Sequence, residues 1–188
     1  MRRLHMPHIQ ISYAARCLYA TGGPKAFTMR ALGRAVGVRA SALYRHFKNK
    51  DAILETIVDA AERELTVRLL PSPRLAPPKD RAGFMAGRAL TFSNEQPHLF
   101  QLLTRRKVSW RPEENGPRAT HMRSEITKAM VSKQLRADDA CAVTASVWAL
   151  ICGLVAIKER GELPAQEQPL QEAWLGTAQR MLRGLRAA

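Results

Sequence analysis

The residues that could do chemistry in this chain are concentrated in one basic segment near the N-terminus. Residues 1–50 hold ten of the 30 lysines and arginines and none of the 16 aspartates and glutamates. Between residue 29 and the first acid, Asp51, lie six cationic side chains: Arg30, Arg34, Arg39, Arg45, Lys48 and Lys50. A basic head on a nearly balanced body indicates a polyanionic partner for the head, although charge alone fits a merely soluble basic surface equally well.

Other chemistries lack the residues that they need. Three cysteines without C-x-x-C spacing (Cys17, Cys141 and Cys152) are more typical of a reduced, intracellular chain than of a disulfide scaffold. Redox sensing by one of them stays open beside the alternative of buried, inert thiols. The five histidines show no i, i+4 pairing, so we expect no metal site and no cofactor. Without a nucleophile–base pair, paired carboxylates or a glycine-rich phosphate loop, we expect no enzyme.

The sequence also argues against a membrane protein. The N-terminus, MRRLHMPHIQ, has no apolar core of a signal peptide. The longest apolar run, residues 142–157, includes Thr144 and Ser146 and is shorter than the ~20 residues of a membrane span. We therefore expect a cytoplasmic protein with a buried helix in this region.

The elements that must position the basic residues are predicted to be helices. Apolar residues recur at helical spacing, and no segment alternates like a β-strand. The sequence therefore predicts an all-α fold of about nine helices, with proline-rich loops at 71–78 and 111–118. We predict that helix one ends at residues 21–24, helix two spans 28–36, helix three spans 40–47 and helix four spans 50–70. Helix five should span 79–94, helix six should begin at 97, helix seven should end near 135, helix eight should span 138–160 and helix nine should follow residue 169.

Two glycines indicate that the basic segment is a helix-turn-helix over about residues 28–47. Gly37 can adopt the positive φ that a sharp turn needs. Gly33 lies one helical turn earlier, where a small residue lets two helices cross closely. Thr28 is a suitable N-cap for the first of these helices, and Asn49 is one for helix four.

The second helix of this motif has an apolar back and a polar front. Leu43 and Phe47 are spaced i, i+4 and should point inward. Ser41, Tyr44 and Arg45 then fall on the opposite side. A recognition helix presents such a polar front to the major groove of DNA. The alternative is an amphipathic helix pair with a solvated basic face.

The stretch FTMRALGRAVGVRASALYRHFKNKDAIL resembles the N-terminal domain of the tetracycline-repressor (TetR) family of transcriptional regulators. The matching pieces are the Thr28 cap, the Gly37-Val38 turn, the run Leu43-Tyr44-x-His46-Phe47 and Lys48-x-Lys50. The resemblance covers about a quarter of the chain. It implies a helix-turn-helix domain over residues 1–50 and a helical ligand-binding and dimerisation domain over 51–188.

The resemblance also implies which residues contact DNA: Thr28, Arg39, Ala40, Ser41, Tyr44, Arg45, His46 and Lys50. Thr28, Tyr44 and His46 would bind phosphates, and Lys50 would hold another phosphate with the N-terminal amides of helix four. Arg39, Ala40, Ser41 and Arg45 would face base edges or nearby phosphates. The family commonly has Ser or Thr at the position of Arg39. The exchange removes an N-cap and adds a guanidinium that reads a base or binds a phosphate.

Helix eight is apolar nearly all round, and such a helix does not lie on the surface of a monomer. We predict that helices eight and nine form a two-fold, four-helix interface of a homodimer, which the resemblance also implies. An intramolecular core is the alternative. In part of the family a Trp-x-x-x-His-Gly pattern occurs here, and Cys152 takes the histidine position after Trp148. The predicted interface residues are Ala145, Ala149, Gly153, Ala156, Trp174, Ala178, Met181, Leu182 and Leu185.

The resemblance further implies a pocket for a small molecule of unknown identity among helices four to eight. Aromatic, histidine and methionine side chains at helical spacing are the candidates to line it, although such residues also build ordinary cores. These candidates are Phe84, Phe92, Phe100, Trp110, His121, Met122 and Trp148.

The leading functional hypothesis is a dimeric, sequence-specific DNA-binding transcriptional regulator. In the family that it resembles, such a protein is most often a repressor released from a palindromic, double-stranded DNA operator by a ligand. The alternative is a non-specific architectural DNA-binding protein. That protein would share the basic head but would not need a large, nearly neutral body.

Overall fold

The computed structural model describes residues 8–70, 81–105 and 116–161. Over these residues the structure has eight helices and no strand, which confirms the predicted all-α fold. The predicted ninth helix lies outside this part of the chain. The helices are α1 (His8–Ala26), α2 (Met29–Ala35), α3 (Ala40–Leu43), α4 (Lys50–Leu69), α5 (Arg81–Glu95), α6 (Pro97–Arg105), α7 (Pro117–Val131) and α8 (Ala140–Glu159).

The chain divides into two compact units. Unit one comprises Met1–Glu62 and Gln96–Arg106, and unit two comprises Arg63–Glu95 and Lys107–Ala188. Helices α1, α2, α3 and α6 therefore belong to unit one, whereas α5, α7 and α8 belong to unit two. Helix α4 begins in unit one and ends in unit two.

The core of unit one forms where α1 packs against α2 and α6. Ile11, Ala15 and Tyr19 follow one another at four-residue steps on α1, and all three are buried. The Tyr19 ring meets the ring of Phe27 edge-on, with 5.9 Å between their centroids. This spacing gives α1 one continuous apolar face, which is the usual reason that a helix of moderate propensity is stable in a folded domain.

Helix α1 is interrupted within residues 21–24, as predicted. The backbone bends at Gly23, whose φ of 62° and ψ of −159° are not helical, and a further helical turn runs to Ala26. Pro24 follows the bend, at a position where a new helical turn loses no amide bond. The bend also makes room for α6, because a Cβ atom on Gly23 would lie 2.9 Å from Nδ1 of His98. A contact with a distant helix therefore sets the geometry of this turn.

In unit two, α5, α7 and α8 pack against one another. Glu125 on α7 is 3% exposed, and it accepts hydrogen bonds from Arg81 Nη1 and Lys128 Nζ, both at 2.6 Å. Burial raises the pKa of the Glu125 carboxyl. The bonds from Lys128 and Arg81 outweigh burial and hold that pKa below its usual value. The carboxylate thus stays ionised inside the helix packing, where it joins α5 to α7.

Helix α7 ends at Val131, one turn earlier than the predicted end near Leu135. Lys133 adopts a positive φ of 57°. Its amide donates to the Met130 carbonyl at 3.0 Å, and the amide of Gln134 donates to the Ala129 carbonyl at 2.8 Å. This pair of bonds is a Schellman motif, which normally has glycine in the left-handed position. The absence of glycine explains why the sequence did not reveal the helix end.

Helix α8 has one buried face and one exposed face. The buried face includes Val143, Val147, Ile151 and Val155. The exposed face carries small residues at steps of three and four: Ala142, Ser146, Ala149, Gly153 and Ala156. By length and composition α8 could cross a membrane, but core helices of soluble proteins pass the same test, so one such helix does not indicate a membrane protein.

We expect Gly23→Ala to lower the free energy of unfolding by about 2–4 kcal/mol. The backbone conformation at residue 23 is nearly exclusive to glycine and costs other residues about 1–3 kcal/mol, and the new methyl group would overpack His98. Urea unfolding followed by circular dichroism measures this change. Gly161→Ala is the matched control, because Gly161 also has positive φ (69°) but open space around its Cα. Equal losses for the two variants would contradict the role of His98.

Candidate nucleic-acid interface

The candidate DNA-binding surface is built on a close crossing of α2 and α3. A Cβ atom on Gly33 would lie 2.7 Å from the Val38 carbonyl oxygen and 3.1 Å from the Ala40 amide nitrogen. The Val38 amide donates to the Gly33 carbonyl at 2.8 Å, so the turn folds back directly onto α2. Gly37 has φ 73°, which confirms the predicted left-handed turn residue. The two helices can approach this closely because residue 33 has no side chain.

Side-chain caps fix the start of the helices on either side of this motif. Thr28 Oγ1 accepts a hydrogen bond from the Ala31 amide at 3.1 Å. Asn49 Oδ1 accepts one from the Ala52 amide at 2.8 Å. Both predicted N-caps are therefore confirmed. Because its oxygen serves as acceptor, the exposed Thr28 hydroxyl keeps its proton available as a donor to an outside group.

Helix α3 is shorter than predicted, since its α-helical part ends at Leu43 rather than Phe47. The next residues form a tighter turn, in which the His46 amide donates to the Leu43 carbonyl at 2.9 Å, an i−3 bond. Arg39 stands at the N-cap position and makes no side-chain capping bond. The departure from Ser or Thr at this position thus leaves α3 without a side-chain cap, which is consistent with its shortness.

The inward and outward sides of this segment agree with the predicted division. Leu43 and Phe47 are buried, and the Phe47 ring lies 4.1 Å from the ring of His8, centroid to centroid. Tyr44 is 54% exposed. The other exposed members of the predicted DNA-contact set are Thr28, Arg39, Ser41, Arg45 and Lys50, whereas Ala40 and His46 are half-buried.

The structure brings Lys50 close to the start of α2. Its Nζ atom lies 5.3 Å from the centroid of the Phe27 ring, and Phe27 directly precedes Thr28. The buried Phe27 ring therefore supports a cation near the start of α2. The sequence indicated both polar groups but not this arrangement. The only sequence feature that accompanies this arrangement is an aromatic residue directly before the N-cap, which is too common in helical proteins to predict it.

The residues predicted to line a ligand pocket are divided between the units. Phe100 is buried in α6 and belongs to unit one. Trp110 lies outside the described residues. The other five lie in unit two, where Phe92, Met122 and Trp148 are buried and Phe84 and His121 are half-buried.

Unit two contains an arginine that the sequence did not single out. Arg118, at the start of α7, is 4% exposed, and its guanidinium carbon lies 3.6 Å from the centroid of the Trp148 ring. Burial raises the pKa of the Cys152 thiol to about 11, and the charge of Arg118 opposes that rise only in part. A thiol with this pKa is almost wholly protonated at neutral pH, so Cys152 lacks the thiolate that a reactive cysteine needs.

No group of three or more histidine, cysteine, aspartate or glutamate side chains within the described ranges could hold a metal ion.

The comparisons with known proteins agree with this geometry. Residues 11–57 match the family model of bacterial regulatory proteins of the tetR family. The matched segment runs from the buried face of α1 through the helix-turn-helix into α4. A comparison with curated proteins found no match.

Solved structures share the fold over nearly the whole chain. A TetR-family regulator from Pectobacterium atrosepticum has a TM-score of 0.76 at 16% identity, with 96% of this chain and 94% of that chain covered. A TetR variant from Acinetobacter baumannii AYE in complex with minocycline has a TM-score of 0.69 at 18% identity, with 97% of this chain and 99% of that chain covered. A Rhodococcus sp. RHA1 protein of unknown function has a TM-score of 0.76 at 19% identity, with 99% of this chain and 100% of that chain covered. The chain therefore has the TetR fold, and the matched segment supports the TetR family.

We expect Gly33→Ala to destabilise the protein by about 1–3 kcal/mol, because the atoms that its methyl group would meet belong to the backbone and cannot rotate away. It should also weaken DNA binding by separating α2 from α3. Gly37→Ala is the control, since it imposes only the cost of positive φ and its Cβ meets nothing within 4 Å. Chemical denaturation gives the stabilities. A Gly33→Ala protein as stable as the wild type would disprove the close crossing.

Proposed function

We propose that the chain is a cytoplasmic, homodimeric, sequence-specific DNA-binding transcriptional regulator that acts as a repressor. The observation that carries this proposal is the exposed, acid-free face of the helix-turn-helix. Cationic and hydrogen-bonding groups there surround two capped helix ends, and residues 11–57 match the tetR family model. The other proposed elements, a palindromic operator and release by a small molecule, follow from the kind of protein that the chain resembles.

Phosphate contacts would fix the protein on the duplex. The Thr28 hydroxyl, the Tyr44 hydroxyl and the Lys50 ammonium are exposed donors, and His46 would assist them. The first amides of α4, beside the Asn49 cap, would add the positive end of a helix dipole. These contacts set position and affinity but carry no sequence information.

Base reading would fall to the first turn of α3 and to the residues around it. Arg39 and Arg45 are exposed and can each form a bidentate pair with guanine, whereas Ala40 can touch a thymine methyl group and Ser41 can bond to several base edges. The absence of a capping bond at Arg39 supports its use for DNA instead of for its own helix.

Dimerisation would use the exposed face of α8. Its small residues at steps of three and four allow a second helix to approach closely, including the predicted contacts Ala149, Gly153 and Ala156. Ala145 stands beside this stripe and is half-buried. A two-fold dimer presents two recognition helices, which must meet successive major grooves roughly 34–36 Å apart or at a multiple of that repeat.

Ligand control would reside in unit two. One structural neighbour, the TetR variant from A. baumannii, is in complex with minocycline, and the shared fold supports a small-molecule site in this chain too. We propose that Phe84, Phe92, His121, Met122 and Trp148 are its candidate lining residues. Placement in the subgroup with a Trp-x-x-x-His-Gly pattern is also a proposal, with Cys152 at the histidine position, and no role that depends on that histidine carries over.

Footprinting against fragments of the host genome tests the function. Protection of one short palindrome, relieved by a compound from a metabolite and drug panel, is the expected result. Uniform protection of all fragments would favour the second candidate, a non-specific architectural DNA-binding protein, which the same basic face could serve.

Substitutions should separate affinity from specificity. Tyr44→Phe should weaken binding to every DNA sequence by about 0.5–1.5 kcal/mol. Lys50→Ala should reduce the slope of the logarithm of the DNA-binding constant against the logarithm of the salt concentration by about one. Arg39→Ala or Arg45→Ala should instead change base preference, by about 1–3 kcal/mol for each bidentate contact. Binding to randomised operator libraries measures both effects. Unchanged preference in both arginine variants would assign base reading to other residues.

Ala149→Asp should convert the dimer into a monomer, because it would bury an unpaired charge at the centre of the proposed interface. Light scattering coupled to size-exclusion chromatography should give half of the wild-type mass, and operator binding should be lost. Ser124→Asp, at an exposed position of α7, is the matched control and should stay dimeric. An Ala149→Asp protein of unchanged mass would refute this interface.

A further inference from the structure

The half-buried His121 on α7 has different surroundings at its two ring nitrogens. The imidazole makes a hydrogen bond with the backbone of Leu69, the last residue of α4, and this bond favours the protonated ring. Nε2 is buried and has no hydrogen-bond partner among the residues that the structure describes. We therefore assign the bond with Leu69 to Nδ1, whose N–H would donate to the carbonyl oxygen.

This arrangement fixes the tautomer of the ring. Burial lowers the pKa of His121, and the charge of Lys128 lowers it further, against the opposing effects of Glu125 and of the bond to Leu69. The ring is consequently neutral at pH 7. A neutral imidazole with its proton on Nδ1 offers a lone pair on Nε2, so Nε2 can only accept a hydrogen bond.

A buried acceptor without a partner is uncommon in a folded protein and calls for an explanation such as a bound molecule. We infer that His121 Nε2 is the polar anchor of the ligand site in unit two, and that it accepts a hydrogen bond from a hydroxyl or N–H group of the ligand. This inference rests on the proposed function, since it assigns the ligand class for the site proposed there.

The same ring would connect the ligand to α4. The Leu69 carbonyl is one of the last four in α4, which have no partner within the helix. His121 supplies a partner through Nδ1. A ligand that draws the ring toward itself through Nε2 changes the bond at the other nitrogen. That bond holds the end of the helix whose first turn follows Asn49 in the DNA-binding unit.

The first test uses the full chain labelled with ¹⁵N-histidine. In the free protein, nuclear magnetic resonance should show His121 protonated at Nδ1 and unprotonated at Nε2 at pH 7. Two matched pairs of probes then follow: phenol with anisole, and indole with N-methylindole. Phenol and indole should shift the Nε2 resonance saturably and bind about two- to tenfold more tightly than their methylated partners, which cannot donate.

His46, in the helix-turn-helix of unit one, serves as an internal control in the same spectra, and its resonances should not respond. In His121→Phe, which keeps a ring of similar size, the preference for phenol over anisole should disappear. The wild-type comparison does not depend on that variant folding.

A proton on Nε2 in the free protein, equal binding within each pair, or no response of His121 to phenol and indole would each overturn the inference. Footprinting of the wild type is read separately. A protein that protects a palindrome but shows no donor-dependent response loses this inference alone. A protein with the response but no specific DNA site keeps the His121 site and loses the proposed repressor function.

Discussion

The candidate recognition surface depends on how closely α2 and α3 cross at Gly33. The missing side chain lets the Val38 carbonyl approach to a distance that any Cβ would prevent, and the positive φ of Gly37 turns the chain sharply enough to reach that position. Leu32 on α2 and Leu43 on α3 are both fully buried. This crossing sets the direction in which the front of α3 points.

The two units use charge in different ways. In unit two, cations pair with carboxylates: Glu125 accepts from Arg81 and Lys128, and Arg68 bonds to Glu64 at 2.9 Å and also to Glu95. These pairs join helices to one another and belong to the structure. Residues 1–50 contain no carboxylate at all, so the cations of the helix-turn-helix have no acid of their own segment to neutralise them. Such a surface suits an external polyanion. Its cations can release the counterions condensed on the polyanion without first breaking ion pairs inside their own segment.

Features fixed by neighbouring residues could be predicted from the sequence, and features fixed by distant residues could not. The caps at Thr28 and Asn49 and the turn at Gly37 each involve fewer than five residues, and all three were confirmed. The bend at Gly23 instead accommodates His98 on α6. The stacking of Arg118 on Trp148 likewise joins two helices, and only the folded chain brings these side chains together. The candidate DNA surface is built from residues close together in the sequence, whereas the ligand candidates lie on several helices that are distant in the sequence.

Helix α4 is the element through which a ligand in unit two would affect the DNA-binding residues. Helix α4 has 20 residues, or about 30 Å, with the Asn49 cap at its first turn and the Leu69 carbonyl at its last. A continuous helix bends little, so displacement of one end is carried to the other. A ligand of the proposed kind would change DNA affinity only through its preference between two positions of that helix, typically by about 1–3 kcal/mol, and operator DNA would weaken ligand binding by the same factor. A compound that binds tightly but leaves the bond between His121 and Leu69 unchanged would have no such preference through this ring. Affinity alone therefore does not identify an inducer.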